Sequence, residues 1–266
     1  MEAPKLFILP VEINLSEMVG RSMIIEEVKT VFDRPLILEG LPDTGLVGTI
    51  SLSHYLTKLG FEKTGYLETD DFPPLLIMRN GKIMDVFEIY YKDNVYILRS
   101  ELPIPQEGVY DIVDQIVEWV KSKNPRLFLS LGGIPHPYRI DITDPKVYAV
   151  PTSEEALTIV SRMKNVEILK DGLLFGPKAL ILRRLERLGV TGLGLFVQSY
   201  LNYPDPGSAA KVLTLLPQIG LEKVEVDSLI ASAEEIRMQY RELMRRTDDE
   251  IRRMRSLPPM AEQSLV

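Results

Sequence analysis

The sequence contains no cysteine and only two histidines among its 266 residues. Without cysteine the chain can form no disulfide, thiol nucleophile or thiolate metal site. The histidines, His54 and His136, are too few for a histidine metal site or a catalytic triad. Common nucleophile, zinc and calcium motifs are also missing. We therefore predict no metal, no cofactor and no catalytic residue, and leave open catalysis by carboxylates alone or recognition of a sugar or base.

Long apolar runs and an excess of positive charge are absent as well. No apolar stretch approaches the roughly eighteen residues of a membrane span, and no basic segment precedes an apolar run at the start of the chain. The formal net charge is −7, whereas nucleic-acid binding needs clustered lysine and arginine. We predict a cytoplasmic protein that neither spans a membrane nor binds nucleic acid.

What the sequence does contain is organised around an apolar strand from Leu36, a glycine-rich turn and an amphipathic helix ending at Leu59. Such turns suit phosphates, but the lysine of a Walker loop is missing. Asp43 also stands where a dinucleotide fingerprint has its first glycine. We therefore predict that Gly45 and Gly48 serve packing, because they let the first helix lie close against the sheet.

The section from residue 63 to residue 101 consists of short β-type runs. Strands are predicted at residues 65–69, 75–78, 83–91 and 95–100. Asn80-Gly81 predicts a hairpin between the second and third runs, and Lys92-Asp93-Asn94 predicts a turn before the fourth. This section is expected to add antiparallel or mixed strands to the sheet.

The second half of the chain alternates helices with buried strands. The predicted elements are a helix over residues 109–120, a strand over 126–131 that ends at Gly132-Gly133, a strand over 147–150, a helix with a capping box from Thr152 to Glu155, a helix from Pro177, a strand over 193–197, and a helix from Asp205-Pro206 to Gly220. This alternation predicts an α/β domain over residues 35–225 with a mostly parallel sheet and helices on both faces. Residues 1–34 are interpreted as an N-terminal arm, with 6–9 as a candidate edge strand.

Ligand sites in such sheets lie at the carboxyl ends of the strands. The residues predicted there are Glu39, Glu101, Gly132, Gly133, His136, Gln198 and Tyr200. Of the two histidines, His136 is the better candidate for a functional site, because it lies in a loop after a strand. His54 is predicted to face solvent or a neighbouring subunit.

The C-terminal segment, residues 226–256, has the spacing of a heptad seam. The apolar positions are Leu229, Ala233, Ile236, Tyr240, Leu243, Ile251 and Met254. A narrow apolar stripe flanked by many charged residues must pack against another apolar surface. We predict an oligomer interface, with packing against the chain's own domain as the alternative. Residues 257–266 are expected to form a flexible tail.

Three groups of residues together resemble the PAC2 family, the archaeal relatives of proteasome assembly chaperones. The first is Gly40-Leu41-Pro42-Asp43-Thr44-Gly45-Leu46-Val47-Gly48, the second is Leu131-Gly132-Gly133, and the third is Tyr203-Pro204-Asp205-Pro206 with its following leucine-rich helix. The resemblance covers about residues 35–225. It implies a three-layer α/β/α fold like that of purine nucleoside phosphorylases, in a homo-oligomer without catalytic activity.

The resemblance also implies a function in which proteasome subunits are the partners and core-particle assembly is assisted. By position, Gly40, Pro42, Gly45 and Gly48 would shape the first loop, and the 204–206 triplet would shape the turn before the last helix. One departure is the ending Ser264-Leu265-Val266, which lacks the tyrosine with which many proteins dock on the proteasome.

The sequence therefore supports two hypotheses. The first is a non-enzymatic chaperone or scaffold that associates with itself, with another family member or with proteasome subunits. The second is an enzyme or sensor that binds a nucleoside-like molecule at the loops 40–48 and 132–136, which rests on fold analogy alone.

Overall fold

The computed structural model describes residues 22–28 and 32–255. The candidate strand at 6–9 and the tail at 257–266 lie outside these residues. Within the predicted arm, Met23–Glu26 forms a strand that pairs with the strand at 62–68. No helix in the described part of the chain combines the length and the apolarity needed to cross a membrane.

Within the described residues, a sheet of nine strands forms the centre of the domain, and a two-stranded hairpin is separate from it. The strands are β1 Met23–Glu26, β2 Leu36–Glu39, β3 Glu62–Glu68, β4 Ile77–Arg79, β5 Lys82–Met84, β6 Phe87–Lys92, β7 Val95–Ser100, β8 Leu127–Pro135, β9 Val147–Pro151, β10 Glu167–Ile168 and β11 Gly192–Ser199. The order in the large sheet is β1-β3-β6-β7-β2-β8-β11-β9-β10, and β4 pairs with β5. The central strands β7, β2, β8 and β11 are parallel, so their carboxyl ends meet at one edge.

Helices cover both faces of this sheet. They are α1 Val47–Leu59, α2 Val109–Ser122, α3 Glu154–Arg162, α4 Pro177–Arg187, α5 Pro206–Leu213, α6 Asp227–Ala231 and α7 Ala233–Arg255. One hydrophobic core joins the sheet to α1, α3, α5, α6 and α7, and the other joins it to α2 and α4. Leu36 and Leu38 lie in the first core and Ile37 lies in the second, because side chains alternate along a strand. The predicted three-layer α/β fold is confirmed.

Close packing of α1 against the sheet depends on Gly48. A Cβ atom at this position would lie 2.1 Å from the Leu131 carbonyl oxygen in β8. At Gly45 the φ angle is 69°, and Leu46 follows with a φ of 50°, so the chain turns through two left-handed residues before α1 begins. The packing prediction for these glycines agrees with the structure.

Several predicted boundaries are wrong. β8 continues through Gly132 and Gly133 to Pro135, because β11 pairs with it along this whole length. The run 83–91 is divided between two sheets, β5 in the hairpin and β6 in the large sheet. Ser153, not Thr152, caps α3, since its side chain accepts a hydrogen bond from the Ala156 N–H.

The last predicted helix also differs, because α5 ends at Leu213 and a separate 3-10 turn, Leu216–Ile219, carries the chain to Gly220. Both predicted turns in the 63–101 section are confirmed. Asn80-Gly81 joins β4 to β5, and Asp93-Asn94 joins β6 to β7.

The C-terminal segment packs against its own domain. Leu229 of α6 and Met244 of α7 are buried in the same core as α1 and α5. Ile236, Tyr240 and Leu243 pack partly buried against this core. Most of the seam predicted to pair with another subunit is therefore already in contact with the chain itself, which was the alternative considered. As an oligomer interface, the seam stays a prediction.

Replacing Gly48 by alanine tests the close approach of α1 to β8. We expect Gly48→Ala to lower the free energy of unfolding by about 3 kcal/mol, because the new methyl group must push backbone away from backbone. The measurement is urea denaturation followed by circular dichroism. Gly172→Ala is the control, since a Cβ there meets only flexible leucine atoms at 3.4 Å or more. A cost for Gly48→Ala as small as that of the control would contradict the packing role.

Candidate functional site

The candidate site lies at the edge where the central parallel strands end. The loop after β2, the end of β8 and the start of α4 meet there. The last turns of α7 lie over the same edge, since Ile251 and Arg255 line a cavity with residues of these elements. The site is therefore built from segments that are far apart in the sequence.

A buried ion pair forms the base of the site. The Lys178 ammonium lies 2.6 Å from Oε1 of Glu39, and it also donates a hydrogen bond of 2.8 Å to the Leu131 carbonyl oxygen. Glu39 accepts two further hydrogen bonds, from the Leu41 N–H at 2.5 Å and from the Ser130 hydroxyl at 2.7 Å. Each charge thus has hydrogen-bond partners besides the other, which offsets much of the cost of removing them from water.

Lys178 was not predicted as a site residue, although the sequence carries a signal for it. Lys178 lies on the same face of α4 as Ile181, Leu182 and Leu185, all of which are buried. A lysine in an apolar stripe, in the first turn of a helix where positive charge is unfavourable, indicates a buried anionic partner. Glu39, which was predicted at a strand end, is that partner.

Asp43 lies beside this pair in the loop after β2. Its Oδ2 accepts a hydrogen bond of 2.9 Å from the Gly133 N–H. The residue is partly accessible, but its Oδ1 is buried and has no hydrogen-bond partner among the described residues. The pKa of the Asp43 carboxyl is raised to about 7, mainly by burial and to a smaller extent by the Glu39 charge, against the opposing effects of Lys178 and the Gly133 N–H.

The two glycines of β8 allow this loop to lie directly on the strand. A Cβ on Gly132 would lie 2.2 Å from Oδ2 of Asp43, and a Cβ on Gly133 would lie 2.2 Å from the Thr44 carbonyl oxygen. Gly40 has a similar role, since a Cβ there would lie 2.6 Å from the Gly48 carbonyl oxygen. These predicted loop residues thus form contact surfaces between chain segments.

The segment 203–206 meets the same loop from the other side. The Asp205 N–H donates a hydrogen bond of 2.8 Å to the Gly45 carbonyl oxygen. The Asp205 carboxylate accepts from the Ser208 N–H at 3.0 Å, so it caps α5 at Pro206. Pro204 and Pro206 are buried beside it. The first and third groups of predicted loop residues are therefore in direct contact.

Arg139 holds Asp205 in place and was missed by the sequence reading. The guanidinium Nε lies 2.8 Å from Oδ2 of Asp205, and both side chains are buried. Arg139 also donates to the Ile142 carbonyl oxygen at 2.7 Å and lies over the Tyr200 ring. No periodicity marks Arg139, because it lies in a short 3-10 turn, Arg139–Asp141.

A cavity of about 260 Å³ opens above Asp43 and Lys178. Its apolar lining includes Leu41, Pro42, Ile134, Phe196 and Ile251. Arg255 of α7 also lines it and stacks over the ring of Phe175, which belongs to the loop before α4. The cavity is therefore bounded by the strand ends below and by the last turns of α7.

Other predicted site residues lie elsewhere. His54 is half-buried, and its Nε2 lies 2.8 Å from the Glu225 carbonyl oxygen of its own chain. Glu101 forms an ion pair with Arg99 at 2.5 Å. His136 and Gln198 line a separate groove beside β9.

Among residues 22–28 and 32–255, no cluster of three or more histidine or acidic side chains has the arrangement of a metal site. Of the seam residues, Ile251 lines the cavity and Met254 packs on the core that contains α2 and α4, while Ala233 is partly buried. The seam thus contributes one wall of the candidate site.

Comparison with known proteins gives consistent results along most of the chain. Residues 37–244 match the sequence model of the PAC2 family. The uncharacterized protein MJ0106 of Methanocaldococcus jannaschii is 30% identical over 227 residues, which cover 85% of this chain and 92% of that protein.

Two solved structures of Pyrococcus furiosus are similar in fold. PbaA, described as an archaeal homolog of proteasome-assembly chaperone, has a TM-score of 0.78 and 26% identity, with 86% of this chain and 98% of that chain covered. PbaB, described as an archaeal proteasome activator, has a TM-score of 0.71 and 23% identity, with 84% and 99% covered. The resemblance predicted from the loop residues is confirmed.

Replacing Lys178 tests the ion pair at the base of the site. We expect Lys178→Met to lower the free energy of unfolding by about 3–5 kcal/mol, because the Glu39 carboxylate would remain buried without its counterion. Chemical denaturation at neutral pH measures this loss. The double variant Glu39→Gln, Lys178→Met should recover part of it, since glutamine keeps an acceptor for the Leu41 N–H without a charge. Equal stability of the single and double variants would contradict the explanation that the loss comes from an unpaired Glu39 carboxylate.

A second prediction concerns pH. In the folded protein the pKa of Asp43 is about 7 against an ordinary value of 3.8, so between these values the folded state holds a proton that the unfolded state has lost. The contribution of Asp43 to stability is therefore greatest below pH 4 and falls as pH rises towards 7.

Relative to Asp43→Asn, the wild type should lose about 3 kcal/mol of unfolding free energy between pH 4 and pH 8. Denaturation of both proteins across this range gives the difference between their free energies of unfolding at each pH. The contributions of the other titrating groups cancel in this difference. Asparagine can still accept the Gly133 hydrogen bond, so the variant isolates the charge. A difference that is constant or rises with pH would show that Asp43 is not buried as an acid.

Proposed function

The chain belongs to the PAC2 family, and from this premise we propose that it is a non-enzymatic chaperone or scaffold that acts on proteasome subunits in the cytoplasm. In this proposal it forms a homo-oligomer, alone or with another family member, and assists assembly of the proteasome core particle. The observation that carries the proposal is the similarity to PbaA over 86% of this chain and 98% of that protein.

The chemistry at the strand ends supports a role other than catalysis. Glu39 and Lys178 satisfy each other and the surrounding backbone, so neither is presented as a free acid, base or nucleophile. Asp205 is likewise occupied by Arg139 and by the start of α5. These groups hold loops in place, as a binding protein requires.

The hairpin β4–β5 supports protein binding. Four large apolar side chains of this hairpin and the preceding turn are exposed: Leu75, Leu76, Met78 and Ile83. The hairpin is not part of the large sheet, and its apolar side chains have little to cover them in the single chain. Exposed apolar patches of this kind are typical of protein-interaction surfaces. We assign this hairpin to the contact with subunits.

Native mass spectrometry of the full chain, alone and mixed with proteasome α and β subunits, tests the proposal. We expect a defined oligomer that gains α or β subunits. Ile83→Asp should reduce subunit capture at least tenfold, because a charge in an apolar contact costs more than about 1.4 kcal/mol. The matched control is Ile230→Asp, a similarly exposed isoleucine on α6.

The outcomes separate two parts of the proposal. An oligomer that ignores both subunits would remove the proteasome from the function. If Ile83→Asp and the control capture subunits equally well, the proteasome subunits remain the partner, but the hairpin is rejected as the surface that contacts them. A monomer under all conditions would reject the homo-oligomer.

A further inference from the structure

The cavity at the strand ends has walls that are mainly apolar. Leu41, Phe196 and Ile251 line it, from the loop after β2, from β11 and from α7. Its volume of about 260 Å³ lies below the usual range for drug-sized ligands, roughly 300–1,000 Å³. The interior therefore suits one compact apolar group, such as a branched alkyl chain or a single ring.

Four charged residues line this cavity: Asp43, Asp171, Lys178 and Arg255. Two of them lie in the interior and are already engaged there. The Lys178 ammonium is paired with Glu39. The Asp43 carboxyl accepts a hydrogen bond from the Gly133 N–H through Oδ2, and its Oδ1 is buried. The interior thus presents no open charge to a ligand.

The other two charged residues, Asp171 and Arg255, are exposed and stand at the opening of the cavity. Asp171 lies in the loop between β10 and α4, and Arg255 lies in the last turn of α7. Within residues 22–28 and 32–255, neither forms a hydrogen bond or an ion pair, with the other or with any third residue. The opening therefore carries two opposite charges that are available to a ligand.

Arg255 is oriented by Phe175, which also lines the cavity. The guanidinium carbon of Arg255 lies 5.2 Å from the centre of the Phe175 ring, and the two groups form a cation–π contact. A guanidinium that stacks on a ring uses its face and leaves the N–H donors in its plane for other partners. A carboxylate at the opening can accept two of these donors at once.

The charges at the opening favour a molecule that carries both signs. An anion would pair with Arg255 but would meet Asp171 as a like charge, and a cation would meet Arg255 in the same way. A molecule without charge gains nothing from either group. A zwitterion with an apolar group attached matches both charges and the interior.

We propose that this cavity binds a free α-amino acid with an apolar side chain. The carboxylate pairs with Arg255, the ammonium pairs with Asp171, and the side chain lies in the interior beside Phe196 and Ile251. Burial of the side chain supplies most of the affinity, because pairs with exposed charges are weak, and the two charges supply the selectivity. This site is independent of the proposed proteasome function, and either can hold without the other.

Titration calorimetry and ligand-detected NMR on the full chain at pH 7 test the site with matched probes. Leucine, methionine and phenylalanine carry the required groups, and serine carries the zwitterion without the apolar side chain. The amide of each amino acid lacks the carboxylate, and the N-acetyl derivative lacks the ammonium. We expect at least one of the three apolar amino acids to bind with a dissociation constant of about 1 mM or tighter. Its two derivatives and serine should each bind at least about fivefold more weakly, which corresponds to about 1 kcal/mol.

Two variants assign the charges. Arg255→Gln should weaken binding of the amino acid about fivefold without weakening that of its amide, because the amide has no carboxylate to lose its partner. Asp171→Asn should weaken the amino acid by a similar factor without weakening the N-acetyl derivative. Arg162→Gln and Asp93→Asn are the controls, since they remove the same charges at exposed positions outside the cavity and should leave binding unchanged.

The proposal is overturned if none of the three apolar amino acids binds at about 10 mM, a concentration at which a millimolar ligand would be close to saturation. Equal binding of the amide or of the N-acetyl derivative would show that one end of a peptide is recognised, and would reject the free amino acid. Serine that binds as tightly as the apolar amino acids would reject the apolar interior. Charge variants that bind as well as their controls would reject Asp171 and Arg255 as the partners.

Discussion

The buried ion pair between Glu39 and Lys178 fixes the geometry of the whole carboxyl edge of the sheet. Glu39 belongs to β2, Lys178 begins α4, and their remaining hydrogen bonds reach Ser130 and Leu131 in β8. Removing either charge alone would leave the other buried without a counterion, which is among the most costly changes a protein interior can undergo. Two strands and a helix from distant parts of the sequence are thereby held in one arrangement, and the loop after β2 leaves the sheet in a fixed direction.

From that starting direction, the loop is positioned by backbone contacts that only glycine permits. Gly132 and Gly133 make room for Asp43 and Thr44 on the surface of β8, and Gly48 brings α1 against the same strand. Asp205 then joins the loop to α5 through its N–H. The residues by which the family was identified are thus points of contact between segments. This explains how a set of glycines and prolines with two aspartates, Asp43 and Asp205, can be distinctive through the contacts it makes between chain segments.

Much of the fold was predictable because its signals are local. The apolar strand β2, the Asn80-Gly81 hairpin and the apolar face of α2 follow from short patterns, and each was correct. The ends of β8 and α5 were not, since they depend on pairing and packing with distant segments. In the site, Glu39 and Asp43 were identified by position. Lys178 was missed although it stands in the apolar stripe of α4, and Arg139 was missed because its short 3-10 turn has no periodicity. The seam of α7 showed that an apolar face needed a partner but could not show which surface provides it.

The position of α7 has a thermodynamic consequence. One side of the helix closes the cavity through Ile251 and Arg255, and the other side, with Met238, is open to solvent. Any macromolecule that binds the open side and shifts the helix would alter the affinity of a molecule in the cavity. By reciprocity, occupation of the cavity would alter the affinity of that macromolecule by the same factor. A single helix therefore connects the cavity at the strand ends to the outer surface of the domain.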